Sequence, residues 1–184
     1  PSMSSLLAEA RANAPQQSAP NSPPAKAALV RALYDLIRDR VHPNNEGLFA
    51  SQAAWIWSRR SGNGLTLLKT LLDMAQIPSQ IVLIKPFGAS EHTSPIPSLD
   101  DYSQVLLRVD TGEPRPLWID FSSEFSPFNT IPLSFQNRPA IAIDDAATRL
   151  TIDASDPELE RQHVTFDLTI SPEGHITGKG SEVS

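Results

Sequence analysis

Cysteine is absent from all 184 residues. That excludes disulfides, thiolate metal sites and a thiol nucleophile, though it leaves the redox compartment open, because cysteine-free chains occur on both sides of a membrane. No apolar run approaches the roughly 18 residues of a membrane span, and no secretory leader is visible. The opening Pro1-Ser2-Met3 reads like residues ahead of an internal start, so a leader on a longer protein could have been cut away. Positive charge is also scarce: 15 Lys and Arg stand against 21 Asp and Glu, for a formal net charge of −6. A nucleic-acid surface needs a Lys/Arg-rich face, so no nucleic-acid partner is expected. The four His residues are scattered without ligand spacing, which argues against zinc; no metal or other cofactor is expected.

What is present suits a globular core. Apolar residues make up 40% of the chain and charged residues 20%, enough for one domain or one domain and part of another. Ser4 to Ala14 can form a short helix with Leu6, Leu7 and Ala10 on one face. Pro15 to Pro24 is rich in Pro, Ser, Gln and Asn and reads as a linker or extended arm. Ala25 to His42 carries Leu29, Leu33, Leu36, Ile37 and Val41 at helical spacing, and Pro43-Asn44-Asn45 stops it. Ser51 is placed to cap a helix over Gln52 to Ser58, with Trp55 and Ile56 inward and Trp57 at a site mouth. A polar knot, Arg59-Arg60-Ser61-Gly62-Asn63-Gly64, precedes an apolar helix from Leu65 to Ala75 that Ile77-Pro78 ends.

The period then changes from helix to strand. Gln80 to Lys85 reads as a buried strand, with further strands over Tyr102 to Val109, Pro116 to Asp120, Pro139 to Ile143 and Leu150 to Ile152. Phe121 to Arg138 has no period and should wrap over the sheet. Val164 to Ile170 alternates, and Pro172-Glu173-Gly174 turns it into a hairpin. Its apolar face, Val164, Phe166, Leu168 and Ile170, needs cover. The segment from about Arg161 is therefore expected to pair with an edge of the main sheet or with another copy of the chain, making oligomerisation through these strands possible. The organisation expected is an arm over 1–24, a core domain over 25–146 and the start of a β-rich unit over 147–184, in the α+β class.

Several of these residues could bear chemistry, and each has a plainer role beside it. Ser61 is a candidate nucleophile or an N-cap of the following helix. Arg59 and Arg60 could hold an anion at that helix start, or be solvated. Gly62 and Gly64 around Asn63 make a tight turn; the spacing and the Lys-Ser/Thr pair of a phosphate loop are missing. His92, in the loop Gly88 to Ser98, could swing toward Ser61 as a base or simply be exposed. His42 reads as a helix C-terminal residue, while His163 and His175 lie far along in the β segment. Asp100-Asp101 and Asp144-Asp145 are adjacent in sequence, so their side chains point apart and no acid/base pair is expected.

The order helix, helix, polar knot, apolar helix ending Ile77-Pro78, then strands resembles the transglutaminase-like superfamily, which has a papain-like fold. Counting back from Ile77-Pro78 puts Ser61 at the family's cysteine, Asn63 where many members have Asp, and Gln76 on the usual Gly. Tyr102-Ser103-Gln104-Val105 matches the histidine stretch, so Gln104 takes the His position. Trp118-Ile119-Asp120-Phe121-Ser122 matches the strand that ends in the family Asp, which is kept as Asp120. Ser126-Pro127-Phe128 and Gln136-Asn137-Arg138-Pro139-Ala140 resemble a bacterial subgroup in which this core lies between two β-rich domains of exported proteins.

The resemblance implies N-terminal helices packed on an antiparallel sheet and a periplasmic or cell-surface location. It also implies a degenerate triad of Ser61, Gln104 and Asp120, with Gln104 hydrogen-bonded to Asp120 and the three sharing a shallow pocket. Gln does not titrate and cannot take a proton from Ser61. The expectation is therefore a non-catalytic module that binds a protein or peptide through Trp57, Arg59, Arg60, Ser61, Asn63, Gln104 and Asp120. The alternatives are a Ser61-based hydrolase or acyl transferase and an architectural spacer between β domains.

Overall fold

A computed structural model describes residues 2–15, 19, 21–44, 46–87, 101–123, 126–154 and 163–183. The chain divides into two compact units, Pro1–Asp153 and Ala154–Ser184. Among the described residues the first unit has four α-helices, α1 (Met3–Asn13), α2 (Pro23–Arg40), α3 (Ala53–Arg59) and α4 (Gly64–Met74). Its five strands are β1 (Ser79–Ile84), β2 (Gln104–Val109), β3 (Leu117–Ile119), β4 (Pro139–Ala142) and β5 (Arg149–Thr151), in the sheet order β3-β2-β1-β4-β5 with antiparallel neighbours. The protein is thus α+β, with antiparallel sheets. The boundary at Asp153 leaves β5 in the main sheet, where 147 onward was expected to open the next unit.

Local chemistry explains the helix starts. Ser2 caps α1 by accepting from the Ser5 N–H at 3.1 Å. Ser22 caps α2, and Pro23 and Pro24 occupy its first two positions, where their missing N–H groups cost nothing. The end of the expected arm is therefore the first turn of a helix. Ser51 does not cap α3: its hydroxyl donates to Glu46 at 2.6 Å, and Gln52 stands at the cap without a side-chain bond.

Two apolar layers sandwich the sheet. On one face Ile81, Leu107, Val109 and Ile119 meet α2, α3 and α4, whose Leu33, Ile37, Ile56, Leu67, Leu68 and Leu71 are buried with them. On the other, Val82, Ile84, Leu106 and Trp118 are covered by Ile131 and Phe135 from the irregular segment after β3. Two-sided burial is why Ile81 to Ile84 reads as an unbroken apolar run rather than an alternating one. Among the described residues no helix is long and apolar enough to cross a membrane.

The second unit is a hairpin of β6 (His163–Ile170) and β7 (Ile176–Val183), paired from His163↔Val183 to Ile170↔Ile176. Among the described residues these strands form a two-stranded sheet of their own, without the expected pairing to an edge of the main sheet.

Candidate functional site at the start of the central helix

The polar knot is held by its backbone. Arg60 adopts a left-handed conformation, φ 56°, and its carbonyl accepts the His42 N–H at 2.8 Å; the Gly62 N–H in turn donates to the His42 carbonyl at 3.0 Å. His42 and Ser61 thereby become partners in a short parallel bridge. The bridge explains why α2 stops at Arg40, ahead of Pro43: Val41 turns extended so that His42 can pair. Sequence reasoning had no signal for this contact, because a single bridge leaves no periodic pattern.

Gly62 has φ 143°, and a Cβ there would lie 2.8 Å from the Ile56 side chain. Only glycine fits this turn. At Gly64 a Cβ would lie 2.8 Å from the Phe121 ring, so the first turn of α4 is pressed against the residue that follows Asp120.

Asn63, not Ser61, caps α4: its Oδ1 accepts the Thr66 N–H at 3.1 Å. The ungapped count put Ser61 at the helix start, but the knot needs three residues to leave the bridge before helical geometry begins. The buried Thr66 hydroxyl then accepts the Phe49 N–H at 3.0 Å. This bond anchors Phe49 in a left-handed conformation, φ 58°, unusual for so bulky a residue. Phe49 is 55% exposed, and no sequence feature marks it.

The two tryptophans of α3 exchange their expected places. Trp57 is 2% exposed and Trp55 56%. The helix buries Ala53, Ile56 and Trp57, a stripe at i, i+3 and i+4, which turns Trp55 outward. Trp57 therefore lies under the knot, with the Arg60 guanidinium over its ring, instead of at a mouth. Arg59 stacks on Trp55, its centre 5.1 Å from the ring. Both arginines are thus engaged with aromatic faces rather than presented together at the helix start. Trp57 Nε1 and one Arg60 terminal nitrogen are buried without a hydrogen-bond acceptor; the arginine nitrogen has the indole face beneath it.

Asp120 is 1% exposed. It accepts from the Ser122 N–H at 2.7 Å, the Ser122 hydroxyl at 2.9 Å and the Ser126 hydroxyl at 2.8 Å. The Ser126 carbonyl takes hydrogen bonds from the Tyr34 hydroxyl and from Arg38. Asp120 is thus a staple for the segment after β3, and α2 clamps the same segment. The expected Gln104–Asp120 bond is not made. β2 and β3 pair Leu107 with Ile119, and continuing that register sets Asp120 opposite Leu106, while Gln104 pairs with Ile84 of β1. Asp120, Ser122 and Ser126 line a hollow of about 360 Å³ to which neither Ser61 nor Gln104 contributes. The three triad positions do not share one pocket. His92 lies outside the described residues, and among those described no group of His, Asp or Glu could hold a metal ion.

No protein-family model and no curated protein matches this sequence. Among solved structures the chain is similar to a protein described as a "putative protease" from Parabacteroides distasonis ATCC 8503, with a TM-score of 0.54 at 12% identity, over 84% of this chain and 32% of that one. At that identity the likeness is one of fold. The chain spans about a third of the other protein's length.

Proposed function

We propose that the first unit is a transglutaminase-like, papain-related module that binds a protein or peptide without transforming it, inside a larger exported bacterial protein. The observation that carries this reading is the state of Asp120. In a triad the third group must orient a base, and here its oxygens are taken by Ser122 and Ser126. No thiol exists in the chain, and Gln104 cannot act as a base. The element order and the fold shared with the Parabacteroides protein agree with the family reading, and that protein's description makes a peptide the natural class of ligand.

In this reading the contact surface is the rim of the knot. Trp55 with Arg59 stacked on it is the aromatic and arginine pairing that dominates interface energetics, and Phe49 is held outward by Thr66. Peptide-display selection against the full chain tests it. Enrichment should be lost with Trp55→Ala and Phe49→Ser and kept with Ser61→Ala. Enrichment indifferent to Trp55 and Phe49 would count against this surface.

One observation favours a second reading, a Ser61-based hydrolase: the bridge sets His42 beside Ser61. Among the described residues no hydrogen bond joins their side chains, and no carboxylate is bonded to the His42 ring. Labelling of Ser61 by a fluorophosphonate, abolished by His42→Ala, would establish this reading and overturn the first.

A further inference from the structure

A cavity lies at the other end of α4. It has a volume of about 780 Å³, a size typical of small-molecule sites. Three segments line it: the last turn of α1 with Arg11, Asn21 ahead of α2 with Lys26 and Leu29 in its first turns, and Gln76 and Ile77 just past the end of α4. Leu29 and the buried Ile77 give it an apolar floor. Arg11, Lys26 and the amides of Asn21 and Gln76 give it a rim of hydrogen-bond donors.

Two features of charge stand out. Among the described residues no carboxylate lines the cavity, although acids outnumber bases in the chain. Neither Arg11 nor Lys26 has an ion pair among the described residues; the acid nearest Arg11 in sequence, Glu9, is taken by Arg40, and the acid nearest Lys26, Asp35, by Arg31. Lys26 also stands near the positive end of the 18-residue α2, whose first turn carries no acid. A helix start favours negative charge and disfavours a lysine. The uncompensated positive potential converges on an open, apolar-floored space.

We infer that this cavity binds an anionic amphiphile, with a carboxylate or phosphate head held by Arg11 and Lys26 and a short aliphatic body over Leu29 and Ile77. The head meets two cations and two amide donors. The body displaces water from the floor. Eleven helical residues, about 16 Å, separate the two ends of α4, so this site stands or falls independently of the peptide surface at the knot.

Calorimetric titration and thermal unfolding of the full chain with octanoate, octanol and inorganic phosphate test the inference. Octanoate should raise Tm by about 5 °C when well above its Kd and should bind far more tightly than either other probe. Affinity should rise about fourfold per CH₂ from butyrate to octanoate; this series needs no variant. Arg11→Gln with Lys26→Gln should weaken octanoate at least about tenfold. Phosphate matching octanoate would reduce the cavity to an anion patch, and octanol matching it would remove the role of charge; either overturns the inference. So would no binding, a flat chain-length series, or an unchanged Kd in the double variant.

Discussion

The main sheet and the terminal hairpin are built from similar strand sequences and end in opposite situations. In β1 and β2, Ile81, Val82, Ile84, Leu106, Leu107 and Val109 are all buried, because helices cover one face and the segment after β3 covers the other. In β6, Val164, Phe166, Leu168 and Ile170 are between 45% and 68% exposed. Alternation sorts side chains onto faces, but cover is a property of what arrives from elsewhere. The hairpin compensates in part within itself. Phe166 and Leu168 stand across from Gly180 and Gly178, and a Cβ at either glycine would lie within 3 Å of the facing side chain. The large side chains lie over the bare backbone of the partner strand, a known rescue of glycine in sheets.

The comparison can be broken most forcefully in the covered core. Leu71→Ala, at a residue with no exposure, should destabilise the first unit by about 2–5 kcal/mol, while Leu168→Ala in the hairpin should cost less than about 0.5 kcal/mol. Denaturant unfolding followed by hydrogen exchange in each unit separates the two; similar losses would mean that the hairpin face is covered in solution. Next in size is Asp120→Ala. Removing the carboxylate leaves the buried Ser126 hydroxyl without its acceptor and should cost about 1–3 kcal/mol, with exchange protection lost first in the segment after β3. Helix capping gives a smaller and sharper contrast: Asn63→Ala should cost about 1 kcal/mol, whereas Ser61→Ala should stay within about 0.5 kcal/mol. The reverse order would restore Ser61 as the cap.

The smallest effect concerns the exposed Glu9–Arg40 pair, which joins α1 to α2. The Arg40 hydrogen bond holds the Glu9 carboxyl below its ordinary pKa. A carboxylate with a depressed folded pKa stabilises above its unfolded pKa and loses that contribution as pH falls through the folded one. Glu9→Gln should therefore lower Tm slightly at neutral pH and not at all at strongly acidic pH. Salt should shrink the difference.

Much of the framework was legible in the residues themselves. Leu6, Leu7 and Ala10 mark the buried face of α1, and all three are buried. The stripe of Leu33, Leu36 and Ile37 marks α2, and Ile77-Pro78 marks the end of α4. Just past that helix the chain takes a left-handed conformation at Gln76, φ 56°. These features are local: a helix repeats every 3.6 residues and a strand every two, so a short window carries the whole signal.

The site was less legible, because its geometry depends on pairings between distant segments. The bridge between His42 and Ser61 moved the cap from Ser61 to Asn63. The face of α3 that meets the core was settled by Ala53 and Ile56, which buried Trp57 and exposed Trp55. The β2–β3 register kept Gln104 from Asp120, and two serines took the carboxylate instead. Sequence by itself determined the elements and their apolar faces, since those follow from backbone geometry and side-chain period. Only the tertiary structure decided which polar groups meet, since a hydrogen bond needs its partner within about 3 Å, and one residue of register or one turn of helix moves that partner away.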